Sequence, residues 1–244
     1  MEEAVAMCAL AAEEGIEAIV ATPHVLRGRW KNTSRRELEG KVAELRERTN
    51  DTPRLLLGSE YFFAHDVDEV LRAGRAIVPL AGSRYVLIEL DANNVPPHIE
   101  GPLYRMQLDG WRPILAHPER NRVFQNRPEL LVSLIEAGVR TQITAGSLLG
   151  DFGSVARKSA EAWVRRGMVH FLATDAHNMK RRPPKAKRAI AALQSIAGER
   201  VTRALTEDNP KAVIENRPLP FEPEPLPAAK PGFFNRVKEL FSKQ

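Results

Sequence analysis

Short apolar, β-like runs recur along this chain, and just past most of them stands a side chain that can hold a metal ion. His24 ends IVATPH, Glu60 ends LLLGSE, Glu89 falls in YVLIEL, His117 follows PILA, and Asp175 and His177 fall in HFLATDAH. Parallel strands covered on both faces read as near-continuous apolar stretches of this length. Most of the runs lead into a helical pattern, so the chain reads as a repeated strand-loop-helix unit. Chemistry gathered at strand C-terminal ends is the layout of a β/α-barrel active site. An open doubly wound sheet has the same alternation, but its polar residues would gather at one switch point. Here they come from many strands, and an α/β fold of the barrel type is expected.

Local signals divide the chain further. Ala4, Val5, Cys8, Ala11 and Ala12 recur at helical spacing over residues 2–14, with Gly15 as a stop. IEAIVAT is expected as a strand and HVLRGRWKNTS as a polar loop. Ser34 with Glu37 predicts a capping box opening a helix. Further strands are expected at RLLLGSE, RYVLIEL, WRPILAH, VRTQITA and MVHFLATDAH, with helices at DVDEVLRAG, up to about Asp109, at PELLVSLIEAG, over 154–166 and over 184–206. Residues 1–217 are expected as one domain. A proline-rich linker over 218–232 and an amphipathic tail over 233–244 follow, the tail carrying Phe233, Phe234, Val237, Leu240 and Phe241.

Bulk composition excludes several classes. No apolar run approaches the roughly 20 residues of a membrane helix, and the acidic start MEEAVAMCALAAEEG is not a signal peptide. The single cysteine, Cys8, rules out an intrachain disulfide, which fits a reducing cytoplasm. The net charge of +5 is spread through the chain. The densest basic run, Lys180 to Arg188, has no aromatic platform beside it, so nucleic acid is not the expected partner.

A lone histidine or glutamate after a strand is more often structural than a ligand; six such residues at five strand ends are another matter. Asp175 and His177 are one residue apart and would share a face if their strand continues. Glu60 and Glu89 could bridge ions. A set of oxygens and imidazoles suits divalent Mn, Fe, Zn or Mg. Arg120, three residues after His117, and Arg182, five after His177, are candidates for holding phosphate through the guanidinium fork. His65, His98 and His170 lie away from strand ends and stay outside the site. Cys8 is not the nucleophile of a cysteine phosphatase, because Glu14 stands where the arginine of that loop would be.

At ATPH, GSE, AHPERN, ITAGSLLGDFG and ATDAHN the chain resembles the bacterial tyrosine phosphatases of the CpsB/CapC type, in the polymerase-and-histidinol-phosphatase (PHP) superfamily. The resemblance runs from residue 2 to about 205. It implies a distorted β/α barrel holding a metal cluster often active with manganese. Carried over by position, His24, Glu60, Glu89, His117, Asp175 and His177 would be ligands, and Arg120 and Arg182 would bind phosphate. The implied partner is a tyrosine-phosphorylated protein, commonly a bacterial tyrosine kinase governing capsule or exopolysaccharide assembly. The family pattern also begins with an Asp-x-His-x-His strand that has no counterpart here, so the first barrel strand is expected to be missing. The exposed edges of such a barrel would favour a homo-oligomer. Two alternatives follow: a catalytically impaired protein that binds a phosphoprotein or kinase, and another PHP phosphomonoesterase.

Overall fold

The structure is a computed structural model that describes residues 1–25, 34–64, 66–74 and 77–225. Most of the polar loop after His24, His65, the end of the proline-rich stretch and the amphipathic tail lie outside the described residues.

The chain opens with α1 (Glu2–Glu13), which buries Cys8 and Ala11 and stops at Gly15, whose φ is +81°. β1 (Ala18–Ala21) and β2 (His24–Val25) follow. Ser34 Oγ caps α2 (Arg35–Thr49) by accepting from the Glu37 backbone N–H at 3.3 Å. β3 (Arg54–Leu57), β4 (Glu60–Phe62) and α3 (Val67–Ala73) come next, then β5 (Tyr85–Glu89) and α4 (Glu100–Leu108). β6 (Arg112–Ala116) leads through a single 3-10 turn, Pro118–Arg120, into α5 (Arg122–Asn126) and α6 (Pro128–Glu136). β7 (Arg140–Thr144) runs directly into α7 (Ala145–Leu149) and then α8 (Gly153–Arg165). β8 (Phe171–Ala173), α9 (Lys187–Arg203), a π-helical turn at Ala204–Asp208 and α10 (Asn209–Ile214) complete the array.

β2, β4, β5, β6, β7 and β8 form a six-stranded sheet in sequence order, every neighbouring pair parallel. The order never reverses, so the switch point of a doubly wound sheet is absent from it. The helices α3–α9 contribute to one hydrophobic core with this sheet. The fold is mixed α/β with a parallel sheet; the hydrogen bonds of the described residues leave β2 and β8 as edges and do not close a ring.

Two expected strands are interrupted. β1 pairs with β3, and β2 pairs with β4, at the same sequence offset. The two broken strands thus run side by side, bridged by Gly58 N–H to Ala21 O at 2.8 Å and Glu60 N–H to Pro23 O at 3.1 Å. Pro23 has no N–H for a ladder. Gly58 is crowded: a Cβ there would meet Leu80 Cδ2 at 2.8 Å and Val20 Cγ1 at 3.0 Å. His24 and Glu60 therefore begin new strand segments, where the sequence reading had them ending strands. The last strand also departs from expectation: β8 stops at Ala173, and Asp175 has φ +50°, so Asp175 and His177 do not alternate along a strand.

Both faces of the sheet are covered. Val86, Ile88, Leu115 and Ile143 join the helix-facing core with Leu103, Leu131, Leu134, Trp163 and Leu193. The opposite face carries Tyr85, Leu87, Ile114, Ala116 and Phe171, packed with Ala212 and Val213 of α10 and with Leu219. Tyr85 Oη donates to Arg217 O at 2.8 Å, which ties this packing to the N-terminal end of β5. By register, Glu60 stands opposite Leu87 and so on that second face, with Glu89 two residues further along. One face thus changes from apolar to ionisable along its length.

Candidate metal centre

Glu60, Glu89 and His117 are buried, at 5, 4 and 8% exposure. Buried carboxylates are tolerated only with close partners, and the histidines supply them. His24 Nδ1 lies 2.8 Å from Glu60 Oε2 and 3.7 Å from Glu89 Oε2. His117 Nε2 lies 3.3 Å from Glu60 Oε1 and 3.5 Å from Glu89 Oε1. Burial alone would raise the Glu60 pKa, but the bonds to His117 and His24 outweigh it and hold the carboxyl well below its usual range. Burial likewise disfavours the His117 cation, yet the bond to Glu60 wins and its pKa is raised. One atom from each of His24, Glu60 and Glu89 lies within 4.8 Å of the others, and this oxygen-and-imidazole donor set fits a divalent ion.

The remaining candidates gather beside these. Asp175 Oδ2 accepts from Arg120 Nη1 at 2.8 Å and from Arg182 Nη1 at 2.7 Å. His177 Nδ1 lies 2.8 Å from Asp175 O and 3.6 Å from Oδ1. The His177 ring is 5.7 Å from that of His24, although they belong to opposite edges of the sheet. His117 has φ +37° and Asp175 φ +50°, the left-handed region that costs a non-glycine residue energy and recurs at functional sites. All eight residues singled out from the sequence therefore lie in one connected group. Among the described residues, His98 and His170 lie outside this group: His170 is buried elsewhere, its Nδ1 accepting from Thr141 N–H at 3.2 Å.

Sequence profiles and known structures agree on the relatives. Residues 1–215 match the family described as capsular polysaccharide synthesis, CpsB/CapC. The chain belongs to the CpsB/CapC family. It is 34% identical over 235 residues to the tyrosine-protein phosphatase YwqE of Bacillus subtilis, spanning 95% of this chain and 91% of that protein. It is 28% identical over 220 residues to the tyrosine-protein phosphatase CpsB of Streptococcus pneumoniae, spanning 87% of this chain and 90% of that one. A crystal structure from work on those two proteins, described as unique metal-dependent tyrosine phosphatases, superposes with a TM-score of 0.88 at 32% identity, covering 94% and 92% of the two chains.

Several residues of this CpsB/CapC chain shape the site without having been read as part of it. Asn121 caps α5 by accepting from Val123 and Phe124 N–H, while its Nδ2 donates to Asp91 O and Asn94 O. Its signal was an asparagine directly before a helix. Asn178 Oδ1 accepts from the backbone N–H groups of Lys180, Arg181 and Arg182, folding the loop that presents Arg182. Glu3 Oε1 accepts from Met179 N–H, so α1 steadies that loop. Glu119 is fully buried, its pKa pushed up by burial, and its partners belong to the β7–α7 junction.

Proposed function

We propose that this chain is a metal-dependent phosphatase acting on phosphotyrosine in a protein. The observation that carries the reading is the convergence of Arg120 and Arg182 on one carboxylate oxygen beside the His24–Glu60–Glu89–His117 group. Two guanidinium groups that meet on one anionic oxygen can hold a phosphoryl group by charge-assisted bonds. Nearby donors that suit divalent ions are what phosphoryl hydrolysis needs, and the relatives are named tyrosine-protein phosphatases.

His24, Glu60, Glu89, His117, Asp175 and His177 are the proposed ligands, and manganese is the proposed ion, with Fe, Zn or Mg as substitutes. Bound there, a divalent ion would act as a Lewis acid on phosphate oxygens and lower the pKa of water. The chain's own residues do the rest. Arg120 and Arg182 orient the phosphoryl group and offset its charge. The apolar layer of Leu87, Ile114 and Phe171 keeps the far side of the site dry.

The distorted barrel belongs to this reading too. It is supported by the sequential parallel order and by His24 and His177 meeting from opposite edges. The family's link to capsular polysaccharide synthesis favours a bacterial tyrosine kinase of such a system as the substrate, and hence a cytoplasmic site of action. Self-association through the β2 and β8 edges is also proposed; light scattering that returns the monomer mass of 27.3 kDa would exclude it.

The deciding experiment is hydrolysis of a phosphotyrosine peptide with manganese, with EDTA, and by His117→Ala. Turnover that needs the metal and is lost in the variant is the expected result. Turnover that persists in EDTA would end the proposal.

A further inference from the structure

The segment ITAGSLLGDFG supplies none of the proposed ligands, yet it is packed against the turn that carries Arg120. Glu119 Oε1 accepts from Thr144 N–H at 3.0 Å and from Ser147 Oγ at 2.6 Å, which fastens the Pro118–Arg120 turn to the start of α7. One residue on, Cζ of Arg120 lies over the Phe152 ring, 4.3 Å from its centroid. Phe152 reaches this position because α7 has a glycine at 146. A Cβ there would meet Phe152 Cε2 at 2.9 Å and Asp151 Oδ2 at 3.0 Å. The turn after α7 is closed by Asp151 N–H to Gly146 O at 2.9 Å and Gly150 N–H to Ser147 O at 3.1 Å.

We propose that Glu119, Gly146 and Phe152 form a brace that aims the Arg120 guanidinium, making Phe152 a positioning residue for recognition of the substrate's phosphoryl group. The inference rests on the phosphatase reading above and extends it to residues that touch neither metal nor substrate. A guanidinium has all its N–H donors in its plane, and the face is what an aromatic ring engages. A ring can therefore restrain the group while leaving its donors free for phosphate oxygens. A carboxylate in the same role would consume donors, as Asp175 does in accepting from Arg120 Nη1. An aimed fork also loses less freedom when the anion arrives.

The test compares wild type, Phe152→Leu, Phe152→Tyr and Gly146→Ala, each loaded with manganese. Steady-state kinetics on a phosphotyrosine peptide are set beside calorimetric binding of inorganic phosphate and of manganese, and beside the melting temperature. Phe152→Leu should raise KM and weaken phosphate binding roughly three- to tenfold, the range of a cation–π contact. Manganese affinity and melting temperature should stay near wild type. Phe152→Tyr keeps the ring face and should restore phosphate affinity. Gly146→Ala, whose methyl group must displace Phe152 or Asp151, should reproduce the Phe152→Leu phenotype with the ring still present. Unchanged KM and phosphate affinity in Phe152→Leu would overturn the brace. So would equal impairment of the leucine and tyrosine variants accompanied by loss of manganese binding or folding. A wild type that does not hydrolyse the peptide sinks the phosphatase reading. The brace is then decided by phosphate affinity in the same proteins, which requires no turnover.

Discussion

Glu60 is the residue on which the proposed centre turns, because its two carboxylate oxygens have the shorter imidazole contacts, His24 at 2.8 Å and His117 at 3.3 Å, against 3.7 and 3.5 Å for Glu89. Glu60→Gln keeps the shape and removes the charge. Outer partners of metal ligands already cost about 10–100-fold in affinity or activity, so loss of a direct ligand should cost at least that in manganese affinity, read by calorimetry. Retained affinity would remove Glu60 from the ligand set. The arginines make a different demand. Arg182→Lys keeps a positive charge but loses the planar fork. It should lower kcat/KM on a phosphotyrosine peptide by roughly 10²-fold, the scale of losing one aimed donor; a lysine variant with full activity would mean that charge alone suffices. His170 illustrates a histidine used for structure. Burial, with Arg140 nearby, pushes its pKa down to about 3, and Glu222 Oε2, 3.9 Å from Nε2, does not offset this while it also pairs with Arg140. The unfolded chain takes up this proton near pH 6.5, the folded chain only near pH 3. Stability should therefore fall as pH drops through that window. His170→Asn should show a flatter fall in urea midpoint between about pH 7 and pH 5; parallel slopes in the two proteins would refute this role.

At the scale of elements, what could be read ahead of the structure was whatever its own neighbours determine. Trp163 and Val164 lie with Ala156 and Ala160 on one buried side of α8, so its helical period was visible in the sequence. Gly74, at φ +64°, ends α3 as a glycine in that place should. The metal-type residues stood out because they follow apolar runs, Asp175 and His177 sharing one. Less visible was anything set by distant partners. α7 emerges from β7 without a side-chain cap, so ITA reads as the tail of a strand although Ala145 already begins the helix. Glu119 gave no sign of its importance because its partners, Thr144 and Ser147, are more than twenty residues away. The breaks at Pro23 and Gly58 were signalled by their residue types, but strong apolar runs on either side masked them. Residues 218–225 read as proline-rich and extended, yet Leu219 is buried and Phe221 is pinned. Asn209 does the pinning. It is fully buried, donates to His170 O and Phe221 O, and accepts from Phe221 N–H. Asn209→Ala should lower unfolding free energy by roughly 1–3 kcal/mol, the penalty of stranding buried polar groups. Urea denaturation measures it, and an unaltered midpoint would show that the backbone finds other partners.

For the molecule as a whole, the buried acids at one end of the sheet predict a coupling between ion and fold. An ion that binds only the native state adds about 2.7 kcal/mol of stability at a hundred times its dissociation constant. Manganese should raise the melting temperature of the wild type and leave that of Glu89→Gln nearly unmoved, as scanning calorimetry would show; equal shifts would place the ion elsewhere. The face that bears these acids also bears, further down, the packed layer of Leu87, Ile114 and Phe171 sealed by α10 and Leu219. In the proposed barrel that layer would be the floor of a cup, and whatever reaches the arginines would leave by the opening through which it came. Inorganic phosphate released by one turnover would then stand between the next phosphotyrosine and the proposed ions, and the protein's own product would compete with its substrate when phosphate is abundant.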